Sequence, residues 1–452
     1  MSIYADDVVS FTSVLKMAYN FLTGREYLKK KKFKEKKKLI SVGLGFPDLA
    51  FAVGAIPVFP IRMETFEVNK YLTMLNSATS VLGWSLTSKF LDFARQFDVL
   101  KIVDKILEDV ITSINNKYNE MYELGVNDGV PSDLCYGINV LYGMHLSKGK
   151  NLDANLNFAM RCGEWNKFSD SLKTTGPNQI TIEVPHKSPE NENKALEQIL
   201  NSVKRAISDL EGVTGNFITD NSLKKQFRIG NQVKRFYKTI LYEISNSNFY
   251  PCNPASFAEI LALLTISFQD YNSNAQRYLN NMSQLVKEMR ERIKKGIGMD
   301  VSQMPRILFA PMYQGWEPEV HEIIYKLGGR IIYADWDLLG LLEEIPLSKD
   351  SDPIEDYSRF LLNASTKGIG CNKENMTNSY LAAAKNLNID GLIFNQVFGC
   401  PSISKTYDTL KEKMKTELNI PSIVINFKKI GENVEQVKKS VEPFMERLKN
   451  KY

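Results

Sequence analysis

The strongest constraint on the fold is the texture of eight short runs: LISVGLG (39–45), AIPVFPIR (55–62), NLNFAMRC (155–162), QITIEVP (179–185), RILFAPM (306–312), GRIIYADW (329–336), GLIFNQVFG (391–399) and SIVINF (422–427). Most are apolar at nearly every position rather than at alternate ones, and stretches with helical spacing separate them. A strand with one face in water alternates, whereas a strand covered by helices on both faces does not need to. The pattern therefore predicts an α/β protein with parallel sheets. The runs fall into two groups of four around a helical block, which gives two doubly wound, Rossmann-like lobes joined through helices. The expected organisation is a helical, Lys-rich N-terminal segment (1–38), a first α/β lobe (39–190), a helical connecting block (191–300) and a second α/β lobe (301–452).

Within the block, NKALEQILNSVKRAISDLEG carries apolar residues near helical spacing, and YLNNMSQLVKEMRERIKKG ends on Gly296, a suitable C-terminal cap. The C-terminal stretch NVEQVKKSVEPFMERL places Val434, Val437, Val441, Phe444 and Leu448 on one face, so a closing helix is expected, kinked or shortened at Pro443. No repeat is visible residue by residue, although the two groups of four are compatible with one.

At 452 residues, 43% of them hydrophobic and 24% charged, the chain is long enough for two or three domains with a sizeable core. Much of the basic excess behind its +5 net charge sits in KKKKFKEKKK, 29–38. That run reads as a solvated face or connector rather than a contact for nucleic acid or an anionic membrane, because no aromatic interleaving or nucleic-acid fold motif supports such a contact elsewhere in the sequence. The start, MSIYADDVVSF, lacks the basic region and long apolar run of a signal peptide, and the longest apolar window, AEILALLTISF (258–268), is too short to span a bilayer. A cytoplasmic protein is expected. Its five scattered cysteines do not form a disulfide framework and should be thiols, metal ligands or small buried hydrophobes.

Common catalytic signatures are missing from the sequence. It contains no GxxxxGK[ST], no GxGxxG after any run, no GxSxG and no HExxH. GLG at 43–45 is a fragment better read as a strand-to-helix turn, and His145, His186 and His321 have no second ligand at metal spacing. Cys162 ends NLNFAMRC and Cys400 ends GLIFNQVFG, at the strand edge where open α/β sheets put ligands, while Cys135 lies in a turn able to reach the same edge. Three thiolates without a histidine suit a soft multi-iron centre, although the spacing matches no compact CxxC pattern. Cys252, between prolines in NFYPCNPASF, and Cys371, in KGIGCNKEN, read as structural or incidental. Trp165, Lys167 and Asn395 lie beside the three cysteines and read as packing around them; no catalytic acid or base is nominated.

On four stretches the sequence resembles the 2-hydroxyacyl-CoA dehydratase and benzoyl-CoA reductase family. FPDLAFAVGAIPVFP (46–60) is similar to its opening segment. DLCYGINVLYG (133–143) has a cysteine followed eight residues later by a glycine, and CGEWNKFSDSL (162–172) carries Gly163, Lys167 and Phe168 after its cysteine. The most specific is DGLIFNQVFGCPSISKTYDTLKEKMKTELNIPSIVI (390–425): Gly-Cys at a strand end, a helix, then Ile-Pro before the last strand. Length and GEWNKF are similar to the larger reductase-type subunits, whereas INFKKIGEN departs from the acidic residues that many relatives carry after that strand.

The resemblance implies that Cys135, Cys162 and Cys400 hold one 4Fe-4S cluster. It also implies a homologous second subunit or a homodimer, a separate actin-like ATPase activator, and an acyl-CoA substrate that undergoes radical dehydration or ring reduction after one-electron transfer. Two alternatives stay open: reduction of a small non-CoA substrate by a larger, double-cubane-like cluster with further cysteines, and a metal-free binding or assembly protein with the same fold.

Overall fold

In the computed structural model, the described residues are 11–43, 47–66, 68, 70–83, 86, 104–159, 162–188, 190–311, 318–348, 350–370, 372–427, 429–432 and 434–450. All eight runs contribute strands. β1 (Leu39–Val42), β2 (Ile56–Val58), β3 (Ala154–Ala159) and β4 (Asn178–Glu183) form one parallel sheet in the order β2-β1-β3-β4. A small antiparallel pair, β5 (Phe249–Tyr250) with β6 (Met299–Asp300), lies within the helical block. The second sheet, of β7 (Arg306–Ala310), β8 (Arg330–Ile332), β9 (Gly391–Val397) and β10 (Ser422–Phe427), is also parallel and ordered β10-β9-β7-β8. Counted along the chain, each sheet has the order second-first-third-fourth, so the two share one topology.

Burial explains the texture of the runs. Every residue of central β1 is buried, as are the first five of β3, whereas edge strand β4 alternates its buried positions. β2 is shorter than its run because Pro60 opens a 3-10 turn, Pro60–Met63, while Pro57 is accommodated on the sheet edge. Between the sheets lie four long helices, Glu192–Thr214, Asp220–Lys238, Pro254–Phe268 and Ala275–Lys294. Asn253 caps the third by accepting the Ser256 N–H at 2.9 Å, and Pro254 sits in its first turn. All fifteen of its residues are buried. The longest apolar window of the sequence is thus a helix at the centre of the protein core; among the described residues no helix is long and apolar enough to cross a membrane.

The fourth helix ends at Lys294, two residues before left-handed Gly296. The closing helix, Val434–Lys449, runs on through Pro443 rather than stopping there. Pro443 and Lys439 both face solvent, so water can satisfy the Lys439 carbonyl that the proline leaves without a donor. Most of the 29–38 run is exposed, but two of its lysines do local work. Lys32 and Lys38 each reach Asp153 at 3.2 Å, and the same carboxylate accepts the Leu39 N–H at 2.9 Å, pinning the start of β1 beside that of β3.

Candidate functional site: three cysteines at three helix starts

Each of the three cysteines occupies the residue just before a helix. Cys135 precedes Tyr136–Lys148, Cys162 follows β3 and precedes Gly163–Thr175, and Cys400 follows β9 and precedes Pro401–Leu418. Cys162 and Cys400 therefore hold the same station in their two sheets, after the third strand. The first turn of a helix presents unsatisfied N–H groups and the positive end of the helix dipole, an environment that stabilises anionic sulfur.

Two close backbone approaches set the Cys135 turn. The Tyr136–Lys148 helix lies so tightly against Asp104–Asn127 that a Cβ on Gly143 would fall 1.8 Å from the Met121 carbonyl oxygen. Within the turn, Asn139 Nδ2 donates to the carbonyls of Pro131 and Leu134, both at 3.3 Å. The second approach joins the two halves of the chain. Gly399 is left-handed (φ 74°), and a Cβ there would lie 2.2 Å from the Asp133 carbonyl oxygen and 2.9 Å from the Cys135 nitrogen. Only a glycine lets the β9 turn seat against residues 133–135. This is the physical reason for the Gly-Cys pair: the glycine brings Cys400 to Cys135.

All three cysteines line one cavity of about 120 Å³, with Trp165, Trp336, Gln269 and Met376 among its other walls. That is roughly ten times the ~10–15 Å³ a single water requires. Gln269 precedes a strained turn in which Tyr271, Asn272 and Ser273 all have positive φ (38°, 43° and 57°). A fully buried ion pair locks it: Arg62 Nη1 donates to Asp270 Oδ2 and Ser273 Oγ, both at 2.5 Å, and the Phe59 N–H donates to the same carboxylate oxygen at 3.0 Å. Phe59, like Gln269, lines the cavity. A roomier cleft of about 280 Å³, lined by Arg25, Lys29, Lys32 and Lys148, has no cysteine among its described lining residues. Three of its cations are already paired, with Glu26, Asp153 and Glu64. The smaller, cysteine-lined cavity is therefore the candidate site.

The Cys135 thiol is pushed well above the ordinary thiol range by its hydrogen bond with Cys400 and by burial, and the backbone N–H groups of Ile138 and Gly137 pull in the other direction. With no metal bound it is a neutral thiol, and a bound metal would displace its proton. Burial lowers His145, whose Nδ1 lies 2.8 Å from the Leu141 carbonyl oxygen, so that ring is neutral at physiological pH. No histidine is among the cavity-lining residues.

Among the described residues no three His, Cys, Asp or Glu side chains are gathered closely enough to hold a single metal ion. All three thiols line the one cavity, and Cys135 and Cys400 are in hydrogen-bond contact. Three cysteines lining one cavity suit an iron–sulfur cluster, whose thiolates bind separate irons. The soft, all-sulfur donor set agrees with that fit. Of the other residues singled out in the sequence, Trp165 lines the cavity; Lys167 is exposed; and Asn395 is buried in β9, donating to the Pro311 carbonyl at 3.2 Å. Cys252 is buried away from the cavity lining, and Cys371 lies outside the described residues. Gln269, Trp336 and Met376 were not legible as site residues, since each comes from a segment with no motif of its own.

A family model described as 2-hydroxyglutaryl-CoA dehydratase, D-component, matches residues 97–448. The match takes in all three cysteines and begins after β1 and β2, so the 46–60 stretch lies outside it. No curated protein matches the chain.

Proposed function

Since this chain belongs to the 2-hydroxyglutaryl-CoA dehydratase D-component family, we propose that it is the iron–sulfur subunit of an ATP-activated radical 2-hydroxyacyl-CoA dehydratase or benzoyl-CoA-type reductase. Cys135, Cys162 and Cys400 are its 4Fe-4S ligands. The observation that carries the reading is the meeting of these three thiols, from two sheets and three helix starts, on one cavity. When bound, the cluster would supply a low-potential electron and a Lewis-acidic iron for an acyl-CoA thioester.

The chain's own residues prepare that environment. Three helix N-termini offset the negative charge of the thiolates, and the largely apolar walls keep water from the sulfurs and sharpen every remaining electrostatic interaction. Gly399 holds the second-sheet ligand against the turn that carries the first. The working assembly on this reading contains a homologous second subunit or a second copy of the chain, together with a separate actin-like ATPase. The lobes are divided at residues 39, 191 and 301, and the protein works in the cytoplasm, where thiols stay reduced.

Iron and acid-labile sulfide per chain, measured after purification without oxygen, test the proposal. About four irons are expected from three cysteine ligands, and they should be lost or destabilised in Cys400→Ala. A folded wild-type chain that takes up no iron would refute it.

A further inference from the structure

Trp165 and Trp336 line the same cavity, yet their indole N–H groups differ. Trp336 Nε1 donates to the Thr265 carbonyl at 3.1 Å, whereas Trp165 Nε1 is buried and has no hydrogen-bond partner. An indole nitrogen can only donate, and a buried donor left unsatisfied costs about 1–3 kcal/mol. The Trp165 ring cannot readily turn to find water. The residue is 5% exposed, its Cη2 would lie 3.0 Å from a Cβ on Gly43, and its ring makes an edge-type contact with Phe168 at 61°, with ring centroids 5.7 Å apart. It is the third residue of the helix that Cys162 precedes, and helical side chains lean back towards the helix start.

We propose that the Trp165 indole N–H donates a hydrogen bond to a sulfur of the cluster that Cys162 helps to hold, making Trp165 a positioning residue that sets the cluster's potential. The inference rests on the cluster reading above. A donor aimed at cluster sulfur stabilises the more negative, reduced state and so raises the reduction potential.

The test uses full-length chain, loaded without oxygen, reduced and examined by electron–nuclear double resonance after labelling its tryptophans with ¹⁵N in the indole. Coupling of the cluster to an indole ¹⁵N and to a proton that exchanges in D₂O is expected, retained in Trp336→Phe and lost in Trp165→Phe. Trp165→Phe should keep its iron, and its midpoint potential should shift to a more negative value. Loaded wild-type protein without any indole coupling overturns the assignment to Trp165 and leaves the cluster standing, and this measurement decides the matter even if Trp165→Phe fails to fold. A Trp165→Phe chain with unchanged coupling and potential overturns it as well. Wild-type protein that binds no iron overturns the cluster reading beneath it.

Discussion

Replacing Gly399 by alanine should damage both stability and iron retention, and the two contributions can be separated. An alanine held at φ 74° costs about 1–2 kcal/mol for the left-handed backbone alone. Its Cβ would also meet the Asp133 carbonyl oxygen at 2.2 Å and the Leu134 carbonyl carbon at 2.7 Å. Both are backbone atoms that cannot swing aside, so overpacking adds about 1–3 kcal/mol. The sum is about 2–5 kcal/mol. Gly215 supplies the control. It ends the Glu192–Thr214 helix at φ 70° with nothing within 4 Å of a Cβ, so Gly215→Ala carries the backbone cost only. Urea denaturation of both variants without oxygen, with iron measured per chain, is the assay. Gly399→Ala should lose more stability than Gly215→Ala and release iron, because pushing the turns apart separates Cys400 from Cys135. Equal losses in the two variants, with iron fully retained in both, would refute the argument that the glycine exists to seat one turn on the other.

Two further outcomes follow from buried charge. Asp270→Asn leaves the Arg62 guanidinium buried without its carboxylate and should destabilise the chain by about 3–5 kcal/mol in urea; because Gln269 and Phe59 flank that network, iron retention should fall with it. Asp48, buried beside Gln226 and Lys234, has its carboxyl raised by burial from 3.8 to about 6, while burial lowers Lys234 to about 8. Between pH 3.8 and about 6 the folded chain holds more protons at Asp48 than the unfolded chain, so its contribution to stability falls as pH rises through that window. For Lys234 the folded chain holds fewer protons between about 8 and 10.5, so stability recovers as pH rises there. Urea midpoints measured against pH should show the acid-side slope in wild type and its loss in Asp48→Asn; an unchanged slope would remove Asp48 as its source.

The sheets were legible because burial on both faces leaves a mark at every position of a strand: the eight runs are the strands of both sheets. β5 and β6 were not, since two-residue strands have no period to detect. Nor was the left-handed turn at Tyr271–Ser273, whose side chains are unlike the glycines that announce such backbones and which depends on a buried guanidinium contributed from Arg62. The candidate site divides in the same way. Cys162 and Cys400 could be read as strand-end residues, and the chain's course then carries them to matching stations. The contact of Cys400 with Cys135 depends on two glycine-mediated backbone approaches, and no local pattern encodes a distance between segments so far apart in sequence.

That contact also has a mechanical side. Two thiols are delivered by the first sheet's half of the chain and one by the second's, so anything gripped by all three acts as a clasp across the seam between them. Gripping favours the closed seam over every arrangement in which the halves have parted, and the closed seam in turn raises the hold on whatever is gripped. An agent that prises the halves apart thereby loosens the clasp, and one that empties the clasp frees the halves to move.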